Sequence, residues 1–537
     1  MPSSRPLNVP RLLHESVDAA AERTPDHPAF VFLDRSITYA ELSVQTASFA
    51  RTLHEQGVRR GDRVALYLNK SLESAIALFG SLRAGAAYVP LDPGAPPDRT
   101  RAVLGESAAR VAVTHEAKRR EAAAVFPGSG VDCVIGLDEA PEGGPLCIPW
   151  REALAAPPAP SAAPGASVLD LAYVIFTSGS TGSPKGIMHT HSSGMSYATM
   201  AADLYGVRQQ DRLSNLSPLH FDMSTFDYLC APLVGASTVI VPEAYLKLPA
   251  SLTELAEAER LTIWYSVPFA LIQSLLHGAM EERDLTAVRW VLFGGEPFAP
   301  KHLEALTRRL PAARFSNVYG PAEVNQCTFY HLPAGWRAES GPPPIGQACR
   351  DVDLLVVDES DREVPGGETG ELLVRTPTMM SGYWRRPDLN ARAFFRQPAT
   401  GGVDEVYYRT GDLVAGGADG ELRFIGRRDH QVKTRGYRVE LGEVEAVLVS
   451  HKAVAEAAAF AVSRSEGLQL IEAAVRLRDG ASETEDAFLS FAAGGLPSYA
   501  VPVRIRILES FPRTTSGKID RNQLSEAAEA ESLAEVE

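Results

Sequence analysis

The chain has 537 residues, of which 45% are hydrophobic and 22% are charged, and this composition predicts a soluble globular protein with more than one core. Its 52 basic and 67 acidic side chains give a formal net charge of -15 at pH 7, which argues against general nucleic-acid binding. Segment 1–11 lacks the apolar core of a signal peptide, no apolar run is long enough to span a membrane, and the five cysteines show no CxxC spacing. We therefore expect a cytoplasmic protein with free thiols, no zinc and no membrane insertion.

Strand patterns alternate with helix patterns along most of the chain. Residues 63–68 have the pattern of a buried strand, and residues 71–84 have that of a helix. This rhythm is typical of parallel sheets covered by helices, so it predicts an α/β architecture. Residues 141–167, in which Pro and Ala recur, are typical of a surface connection.

A run of small polar residues follows the apolar segment 171–176, which is predicted to be a buried strand. Residues 177–186 read TSGSTGSPKG, and their glycines, hydroxyl groups and lysine are suited to hold a polyphosphate. A Walker A loop is excluded, because it requires Gly-Lys-Ser/Thr in direct succession and here Pro184 precedes Lys185. A flexible Gly/Ser linker has a similar composition, so this run alone leaves both interpretations open.

Later segments complete a characteristic order of motifs. Residues 408–413 read YRTGDL and place Asp412 after a tight turn, and residues 516–521 read SGKIDR and place Lys518 on a glycine turn. Further motifs are TYAEL at 38–42, RAGAAYVPLD at 83–92, FDMS at 221–224, NVYGPAE at 317–323, GEL at 370–372, GRRDHQVK at 426–433 and LPSY at 496–499. With these motifs in this order, the chain resembles the adenylate-forming superfamily of acyl-CoA synthetases, luciferases and adenylation domains of nonribosomal peptide synthetases. It is most similar to the free-standing amino-acid adenylation enzymes.

The resemblance implies two domains and a tail. Residues 1–428 would form a large N-terminal adenylation core of stacked sheets and helices that binds ATP and the amino acid. Residues 429–521 would form a small mobile α+β domain that carries Lys518, with Asp429 as the hinge. Residues 522–537 contain five glutamates and no basic side chain, so we expect a solvated or frayed helical tail.

Adenylation joins a carboxylate to the α-phosphate of ATP and expels pyrophosphate, so the site must position two anions and neutralise charge at phosphorus. By resemblance, Lys518 is the catalytic cation, and Glu323 holds Mg²⁺ together with phosphate oxygens. Tyr319 would lie against adenine, and Asp412 would accept hydrogen bonds from the ribose. The implied ATP contacts are Thr177, Ser178, Gly179, Thr181, Lys185, Gly295, Tyr319, Asp412 and Arg427.

Members of the superfamily use one site for two half-reactions. The C-terminal domain rotates, first offers the Lys518 loop and then presents the side of Gly436 and Tyr437 to an attacking thiol. Only a short segment follows Lys518, so we expect a free-standing enzyme. Its acceptor would be the phosphopantetheine thiol of a discrete carrier protein that acts in trans, in the biosynthesis of a natural product such as an antibiotic.

Asp222 determines the class of acid that is activated. In amino-acid-activating relatives this carboxylate faces the substrate ammonium, whereas fatty-acid and aryl-acid relatives usually lack it. A helix N-cap is the structural alternative for Asp222. Asp227 is a second candidate for the same role, if the amine lies one carbon farther from the carboxylate as in a β-amino acid.

The implied substrate pocket is mostly apolar. Its residues are Asp222, Met223, Phe226, Ser266, Leu292, Gly294, Val318, Gln326 and Cys327, closed by Lys518. Met223, Phe226, Leu292 and Val318 could not neutralise a charged side chain, which disfavours Asp, Glu, Lys and Arg as substrates. Because Gly294 and Ser266 are small, we expect the substrate pocket to be larger than proline needs. The prediction is an apolar, moderate-sized α- or β-amino acid, or proline.

Three alternatives stay open at this point. An acyl- or aryl-CoA ligase would share the ATP site but would use coenzyme A and an acid without an amine. A non-catalytic nucleotide sensor would have no use for Lys518 and Glu323. A phosphotransferase that used the polar run would release ADP in place of AMP.

Overall fold

The computed structural model describes residues 10–158, 165–177, 179, 184–398, 402, 404–417, 420–428, 431–464, 469–513 and 519–534. The strands are β1 Pro28–Phe32, β2 Arg35–Thr38, β3 Arg63–Leu66, β4 Ala87–Pro90, β5 Val111–Val113, β6 Cys133–Ile135, β7 Leu146–Ile148, β8 Leu171–Thr177, β9 Lys185–Thr190, β10 Arg212–Asn215, β11 Ser237–Ile240, β12 Ile263–Ser266, β13 Trp290–Gly294, β14 Arg314–Tyr319, β15 Thr328–His331, β16 Gln347–Ala348, β17 Asp353–Val357, β18 Thr369–Arg375, β19 Gly382–Tyr383, β20 Phe394–Gln397, β21 Glu405–Gly416, β22 Leu422–Arg427, β23 Gln431–Thr434, β24 Tyr437–Glu440, β25 Val454–Ser463, β26 Gln469–Leu477 and β27 Ile505–Ile507. The α-helices are α1 Glu15–Arg23, α2 Tyr39–Glu55, α3 Leu72–Arg83, α4 Pro97–Ser107, α5 Arg119–Val125, α6 Trp150–Ala153, α7 His191–Tyr205, α8 Ala231–Val234, α9 Pro249–Ala258, α10 Pro268–His277, α11 Pro300–Arg309, α12 Pro387–Ala393, α13 Leu441–Val449, α14 Glu485–Gly495 and α15 Arg521–Ala534.

Two large sheets form the N-terminal part. The nine-stranded sheet has the order β16-β15-β14-β13-β12-β10-β11-β1-β2, and the eight-stranded sheet has the order β19-β9-β8-β4-β3-β5-β6-β7. Strands β10, β12, β13 and β14 run parallel to one another. Because the carboxyl ends of parallel strands meet at one edge of a sheet, the loops after these strands gather at the same place. The predicted α/β architecture is confirmed.

Two of the helices that cover these sheets begin with a polar capping box. Thr38 and Glu41 form a reciprocal capping box at the start of α2, and Ser71 and Ser74 form one at the start of α3. Helix α3 agrees with the predicted helix 71–84 and is buried on almost every side. Among the described helices, none combines the length and the apolar composition needed to cross a membrane.

The stretch 141–167 is only in part the predicted surface connection. Strand β7 within it pairs with β6 at the edge of the eight-stranded sheet. The Trp150 ring then stacks on Phe49, with ring centroids 5.4 Å apart. The prediction was wrong for this part because the apolar side chains between the prolines gain burial against the sheet and α2.

Smaller sheets follow towards the C-terminus, and all of their described strand pairs are antiparallel except that of β26 and β27. Strands β17, β18, β20, β21 and β22 form a five-stranded sheet, β23 and β24 form a hairpin, and β25, β26 and β27 form a three-stranded sheet. Val444, Val475 and Phe488 belong to a hydrophobic core that is built from residues after 438. The hinge predicted at Asp429 lies outside the described residues, and the domain boundary there stays a prediction.

The expected acidic tail is for the most part a packed helix. Helix α15 buries Leu524 and Ala528, which are 7% and 1% exposed, in a cluster with Phe460 of β25. The Ser525 hydroxyl donates to the Ala461 carbonyl at 2.6 Å. The glutamates had suggested solvation, but the apolar side chains between them supply a face that packs.

Candidate active site

A cavity of about 110 Å³ lies where the loops after the parallel strands meet the C-terminal hairpin. The N-terminal part lines it with Ile175, Phe176, Thr177, Tyr197, His220, Phe221, Asp222, Met223, Tyr265, Gly295, Val318, Gly320, Pro321, Ala322, Asn325, Gln326, Asp412 and Arg427. The C-terminal part lines it with Lys433, Gly436, Arg438 and Tyr499. Residues that are distant in sequence therefore converge at the strand ends, where α/β folds bind ligands.

Three of the predicted ATP contacts form one cluster. The Tyr319 hydroxyl donates to Asp412 Oδ2 at 2.5 Å, and Arg427 pairs with Asp412 Oδ1. Burial raises the pKa of the Tyr319 hydroxyl well above its ordinary value, so it stays a donor. Each carboxylate oxygen has a further lone pair, so Asp412 can accept from a ribose hydroxyl while it keeps these partners.

The predicted phosphate-binding run is described in part. Thr177 lines the cavity, and its Oγ1 is buried without a hydrogen-bond partner among the described residues. Gly179 is buried. Ser178 and Thr181, like the predicted catalytic Lys518, lie outside the described residues. An unpaired buried hydroxyl at the end of β8 is a fitting donor for a ligand oxygen.

Lys185 at the start of β9 is engaged with protein carboxylates. Its Nζ lies 3.5 Å from Glu440 Oε1 and 3.9 Å from Glu323 Oε1. Burial lowers the pKa of Lys185, and nearby Arg438 lowers it further, while both glutamates raise it. Lys185 is therefore next to Glu323 and Glu440 and is not among the residues that line the cavity.

Glu323 is fully buried, and both of its carboxylate oxygens have protein partners. Oε1 accepts from the Tyr383 hydroxyl at 2.8 Å, and Oε2 accepts from Arg438 Nη1 at 2.9 Å. Burial acts to raise the pKa of Glu323, but Arg438, Lys185 and Tyr383 outweigh it and hold that pKa at about 2. A Mg²⁺ ion does not fit beside Glu323 in this arrangement, because a guanidinium already occupies the carboxylate.

Asp222 faces the cavity from the loop after β10. Burial raises the pKa of its carboxyl to about 6, and Glu323 adds to this effect, whereas a hydrogen bond from the Met223 backbone N–H, Lys433 and Arg438 oppose it. The backbone N–H of Ser224 donates to the Phe221 carbonyl at 3.1 Å and not to the Asp222 side chain. The contacts therefore do not support the N-cap alternative, and the carboxylate is available to a ligand.

Asp227 does not face the cavity. It lies in a turn of π-helix, Phe226–Cys230, and is 2% exposed. Asn215 Nδ2 donates to its Oδ2 at 3.0 Å, and burial raises its pKa well above the ordinary value. The structure thus gives no support to the prediction that Asp227 binds a substrate amine, because its carboxylate is buried against Asn215 and does not line the cavity.

The predicted pocket residues divide into two layers. Met223, Val318 and Gln326 line the cavity, whereas Phe226, Ser266, Leu292, Gly294 and Cys327 are buried behind that lining. The Gln326 side-chain amide donates to the Tyr205 hydroxyl at 2.9 Å, which fixes its orientation. The second layer therefore shapes the wall by supporting the first.

Gly294 does not create the space that its small size suggested. A Cβ at this position would lie 2.2 Å from the Val318 carbonyl oxygen. Gly294 and Val318 are paired across β13 and β14, so the glycine is needed for close approach of two backbones. The expectation that Gly294 enlarges the pocket was wrong, since a side chain at this position would point at strand β14 and not at the cavity.

The sequence interpretation missed several lining residues. Tyr197 from α7 and Tyr265 from β12 face the cavity, as does Asn325, so the wall is more polar than predicted. The two tyrosines lie in ordinary helix and strand patterns, which carry no functional signal. Lys433 and Arg438 did have a signal, because they flank the Gly436 turn that the resemblance associates with the second half-reaction.

The hairpin of β23 and β24 is docked on the cavity. The Gly436 N–H donates to Glu296 Oε2 at 2.9 Å, and the Gly436 φ of +83° is one that side chains rarely adopt. The Tyr437 ring stacks on Tyr499 at 4.1 Å and meets Phe221 edge-on at 4.9 Å. Of the two presentations that the resemblance implies, the described residues adopt the one with Gly436 at the cavity.

Comparison with known proteins identifies the family. Residues 17–384 match the AMP-binding enzyme family, and residues 443–518 match the AMP-binding enzyme C-terminal domain. The chain is 33% identical over 524 residues to the L-proline–(L-prolyl-carrier protein) ligase of Pseudomonas fluorescens, which covers 97% of this chain and 100% of that protein. It is 34% identical over 530 residues to a ligase of the same name from Streptomyces coelicolor, which covers 96% of each.

A solved structure agrees with these sequence matches. The amide bond synthetase McbA from Marinactinospora thermotolerans superposes with a TM-score of 0.82 at 26% identity, over 96% of this chain and 99% of that one. The fold, the order of motifs and the two family matches are thus consistent with one another. The chain belongs to the AMP-binding enzyme family and is an ATP-dependent, AMP-forming ligase.

Proposed function

We propose that this ligase activates an apolar, moderate-sized amino acid, with proline as the first candidate, to an aminoacyl-AMP. ATP supplies the AMP, and pyrophosphate leaves. The aminoacyl group then passes to the phosphopantetheine thiol of a separate carrier protein, in the biosynthesis of a natural product. The observation that carries the proposal is the position of Asp222, a carboxylate that lines the same cavity as Asp412 and Arg427.

Asp222 supports an amino acid over a simple carboxylic acid. Burial makes the charged form of its carboxylate costly, and a hydrogen bond from the Met223 backbone N–H offsets this cost only in part. A substrate ammonium would remove that cost by pairing with the carboxylate. An aliphatic or aryl acid has no ammonium group, so the charged Asp222 carboxylate would stay buried without a cationic partner. This disfavours the CoA-ligase alternative.

The wall of the cavity supports a small apolar side chain. Met223 and Val318 present apolar surface, while Tyr197 and Tyr265 narrow the space with rings. These four side chains carry no charge at neutral pH, so a charged substrate side chain packed against them would be buried without a partner. Because Asp227 points elsewhere, an α-amino acid is favoured over a β-amino acid. The proline ligases to which this chain is 33% and 34% identical favour proline among the α-amino acids.

The nucleotide contacts follow from the same geometry. The Asp412 carboxylate would accept from the ribose, Arg427 would hold that carboxylate in place, and Thr177 Oγ1 would donate to a phosphate oxygen. Lys518 is proposed as the cation that neutralises charge at the α-phosphate during adenylation, where one well-placed donor contributes about 100- to 1000-fold in rate.

A separate carrier protein is the proposed acceptor. The described hairpin brings Gly436 and Tyr437 to the cavity, on the side that the resemblance assigns to thiol attack. The carrier-protein ligases of Pseudomonas fluorescens and Streptomyces coelicolor match this chain over 100% and 96% of their own lengths. Both relatives are named as ligases of a prolyl-carrier protein, and this supports transfer to a carrier protein in trans.

The test is amino-acid-dependent ATP–pyrophosphate exchange with the purified chain. The panel contains proline, other apolar α-amino acids, β-amino acids, and aliphatic and aryl acids without an amine. We expect exchange with proline or a small group of apolar α-amino acids, and AMP as the nucleotide product.

Asp222→Asn is the matched variant, because it keeps the shape and removes the charge. It should lose amino-acid-dependent exchange by about 100-fold, as expected for a charged hydrogen bond of about 3 kcal/mol. Exchange that occurs only with amine-free acids, followed by transfer to free coenzyme A, would reject the proposal in favour of an acyl-CoA ligase. Release of ADP would reject adenylation altogether.

A further inference from the structure

Lys70 is a buried cation that the proposed chemistry does not use. It is 2% exposed and lies between the end of β3 and the start of α3. Its Nζ donates to the Asn215 carbonyl at 2.8 Å and to the Leu216 carbonyl at 2.7 Å. Burial lowers the pKa of Lys70 to about 8, while Glu243 and Asp227 oppose this effect. The ammonium group is therefore charged at neutral pH and is directed at backbone carbonyls.

The two carbonyls lie where β10 passes into the loop that carries Asp222. Asn215 is the last residue of β10, and its carbonyl also accepts from the Val241 N–H at 3.1 Å, as part of the sheet. Leu216 lies beyond the strand and is 4% exposed. Among the described residues, Lys70 is the donor to the Leu216 carbonyl, so it satisfies an acceptor that burial removes from water. The ammonium group thus fixes the first peptide group of the loop.

Lys70 is itself held in place by neighbouring groups. Its backbone N–H donates to Glu243 Oε1 at 2.9 Å, and the next residue, Ser71, forms the capping box of α3 with Ser74. Strand β3 belongs to the eight-stranded sheet, whereas β10 belongs to the nine-stranded sheet. Lys70 therefore links the two large sheets at the base of the Asp222 loop.

Asp227 lies in the same buried polar region. Asn215 Nδ2 donates to Asp227 Oδ2 at 3.0 Å and to the Ser217 carbonyl at 3.2 Å. Burial raises the pKa of Asp227 well above its ordinary value, while Asn215 and Lys70 lower it. Apolar side chains of similar volume are often as stable as a buried pair of ionisable groups. Stability alone therefore does not account for a lysine and an aspartate at these positions.

We propose that Lys70 is a positioning residue that sets where Asp222 meets the substrate amine. By holding the Asn215 and Leu216 carbonyls, it gives the loop that leads to Asp222 a fixed starting point. This inference rests on the proposed function, in which Asp222 pairs with the ammonium group of an amino acid. Loss of Lys70 should weaken that pairing and spare the nucleotide cluster, whose residues Tyr319 and Asp412 lie on β14 and β21.

The decisive comparison uses two variants that differ in stability. Lys70→Met removes the cation and leaves Asp227 without it, so we expect a lower thermal unfolding temperature. Lys70→Met combined with Asp227→Asn removes both ionisable groups and should recover part of that stability. In both variants, KM for the amino acid in ATP–pyrophosphate exchange should rise about tenfold, as for loss of a charge-assisted hydrogen bond, while kcat and KM for ATP stay within about threefold of wild type. A merely structural role would make the KM defect follow the loss of stability.

Two further variants are matched controls. Arg83→Met removes a cation that is 3% exposed at the other end of α3, where it pairs with Asp18. It should lose stability and keep the wild-type KM for the amino acid. Asp227→Asn alone keeps the Lys70 contacts and should leave that KM within about threefold of wild type.

Hydrogen exchange measured by mass spectrometry gives a readout that needs no turnover. Without any ligand, amides in residues 217–225 should exchange about tenfold faster in the double variant than in wild type, because the N–H groups of Phe221 and Ser224 bond within this loop. Amides in residues 320–327, on the loop after β14, should exchange as in wild type.

Two results would overturn the inference. One is a folded double variant whose KM for the amino acid and whose exchange in residues 217–225 match those of wild type. The other is a control variant, Arg83→Met or Asp227→Asn, that raises this KM as much as Lys70→Met does. Failure of the proposed function is a different result, because wild-type protein would then show no amino-acid-dependent exchange of pyrophosphate, while hydrogen exchange would still measure the effect of Lys70 on the loop.

Discussion

Lys433 Nζ of the hairpin lies 5.8 Å from the ring centroid of Tyr319, the residue predicted to contact adenine. Burial lowers the pKa of Lys433, and Asp412 opposes this effect. This cation–aromatic contact, next to the Asp412 carboxylate, connects the C-terminal part to the cluster of Tyr319, Asp412 and Arg427. The hairpin thus has a second electrostatic contact besides that of Arg438.

Lys433→Met should weaken docking of the hairpin and slow transfer from a supplied aminoacyl-AMP by about tenfold, which corresponds to one buried cation–aromatic contact. Single-turnover transfer to the carrier protein measures this. Lys452→Met removes an exposed lysine of the same domain and serves as the control. Equal transfer rates in both variants would show that the Lys433 contact does not contribute.

The pH dependence of amino-acid use should follow Asp222. Its pKa is raised to about 6, so the carboxyl is neutral below that pH and cannot pair with the substrate ammonium. We expect kcat/KM for the amino acid to fall about tenfold for each pH unit below the pKa and to level off above it. ATP–pyrophosphate exchange between about pH 5 and about pH 8 measures the profile. Asp222→Asn should flatten it, and a flat wild-type profile would contradict the assignment.

Gly436→Ala should separate the two half-reactions. A Cβ there would lie 2.4 Å from Val267 Cγ1, and the φ of +83° adds backbone strain. We expect transfer to the carrier to fall about 100-fold while adenylation stays within about threefold of wild type, since strain and clash together cost a few kcal/mol in the docked state only. Gly480→Ala imposes similar strain, at φ +78°, with nothing within 4 Å, and is the matched control. A parallel loss of adenylation and transfer in Gly436→Ala would be inconsistent with this interpretation.

Gly294→Ala should affect the fold before it affects specificity. The new methyl group would lie 2.2 Å from the Val318 carbonyl oxygen and would push β13 away from β14. We expect a loss of about 1–3 kcal/mol in unfolding free energy, as for other overpacked sites, with the ranking of amino acids unchanged in whatever protein still folds. Urea unfolding and the exchange panel measure the two effects. Gly494→Ala, which has open space around it, should leave both unchanged.

Short motifs allowed most of the reactive residues to be predicted from the sequence. Tyr319, Asp412 and Arg427 each lie within a few residues of a turn whose composition is distinctive, and the structure brings them within hydrogen-bonding distance. The α/β architecture was predictable for the same reason, since each strand and helix pattern is local. The comparisons confirm the family that the order of these motifs indicated.

Residues that act through packing could not be predicted in the same way. Tyr197 and Tyr265 reach the cavity only because α7 and β12 pack as they do, and no local pattern distinguishes them from other buried tyrosines. The spacing to Asp222 predicted that Asp227 faces the cavity, but Asp227 lies within a turn of π-helix and its side chain is buried against Asn215. Long-range geometry, and not residue type, decided these cases.

Helix α15 bears on how the chain can be shortened. Ile519, the residue after Lys518, pairs with Arg513, and the helix that begins at Arg521 covers one side of β25. Removing residues 521–537 would uncover Phe460 and take the buried Leu524 away from the cluster against which Ile519 packs. A truncation that looks harmless in the sequence would thus disturb the packing of Ile519, the residue that follows the predicted catalytic lysine.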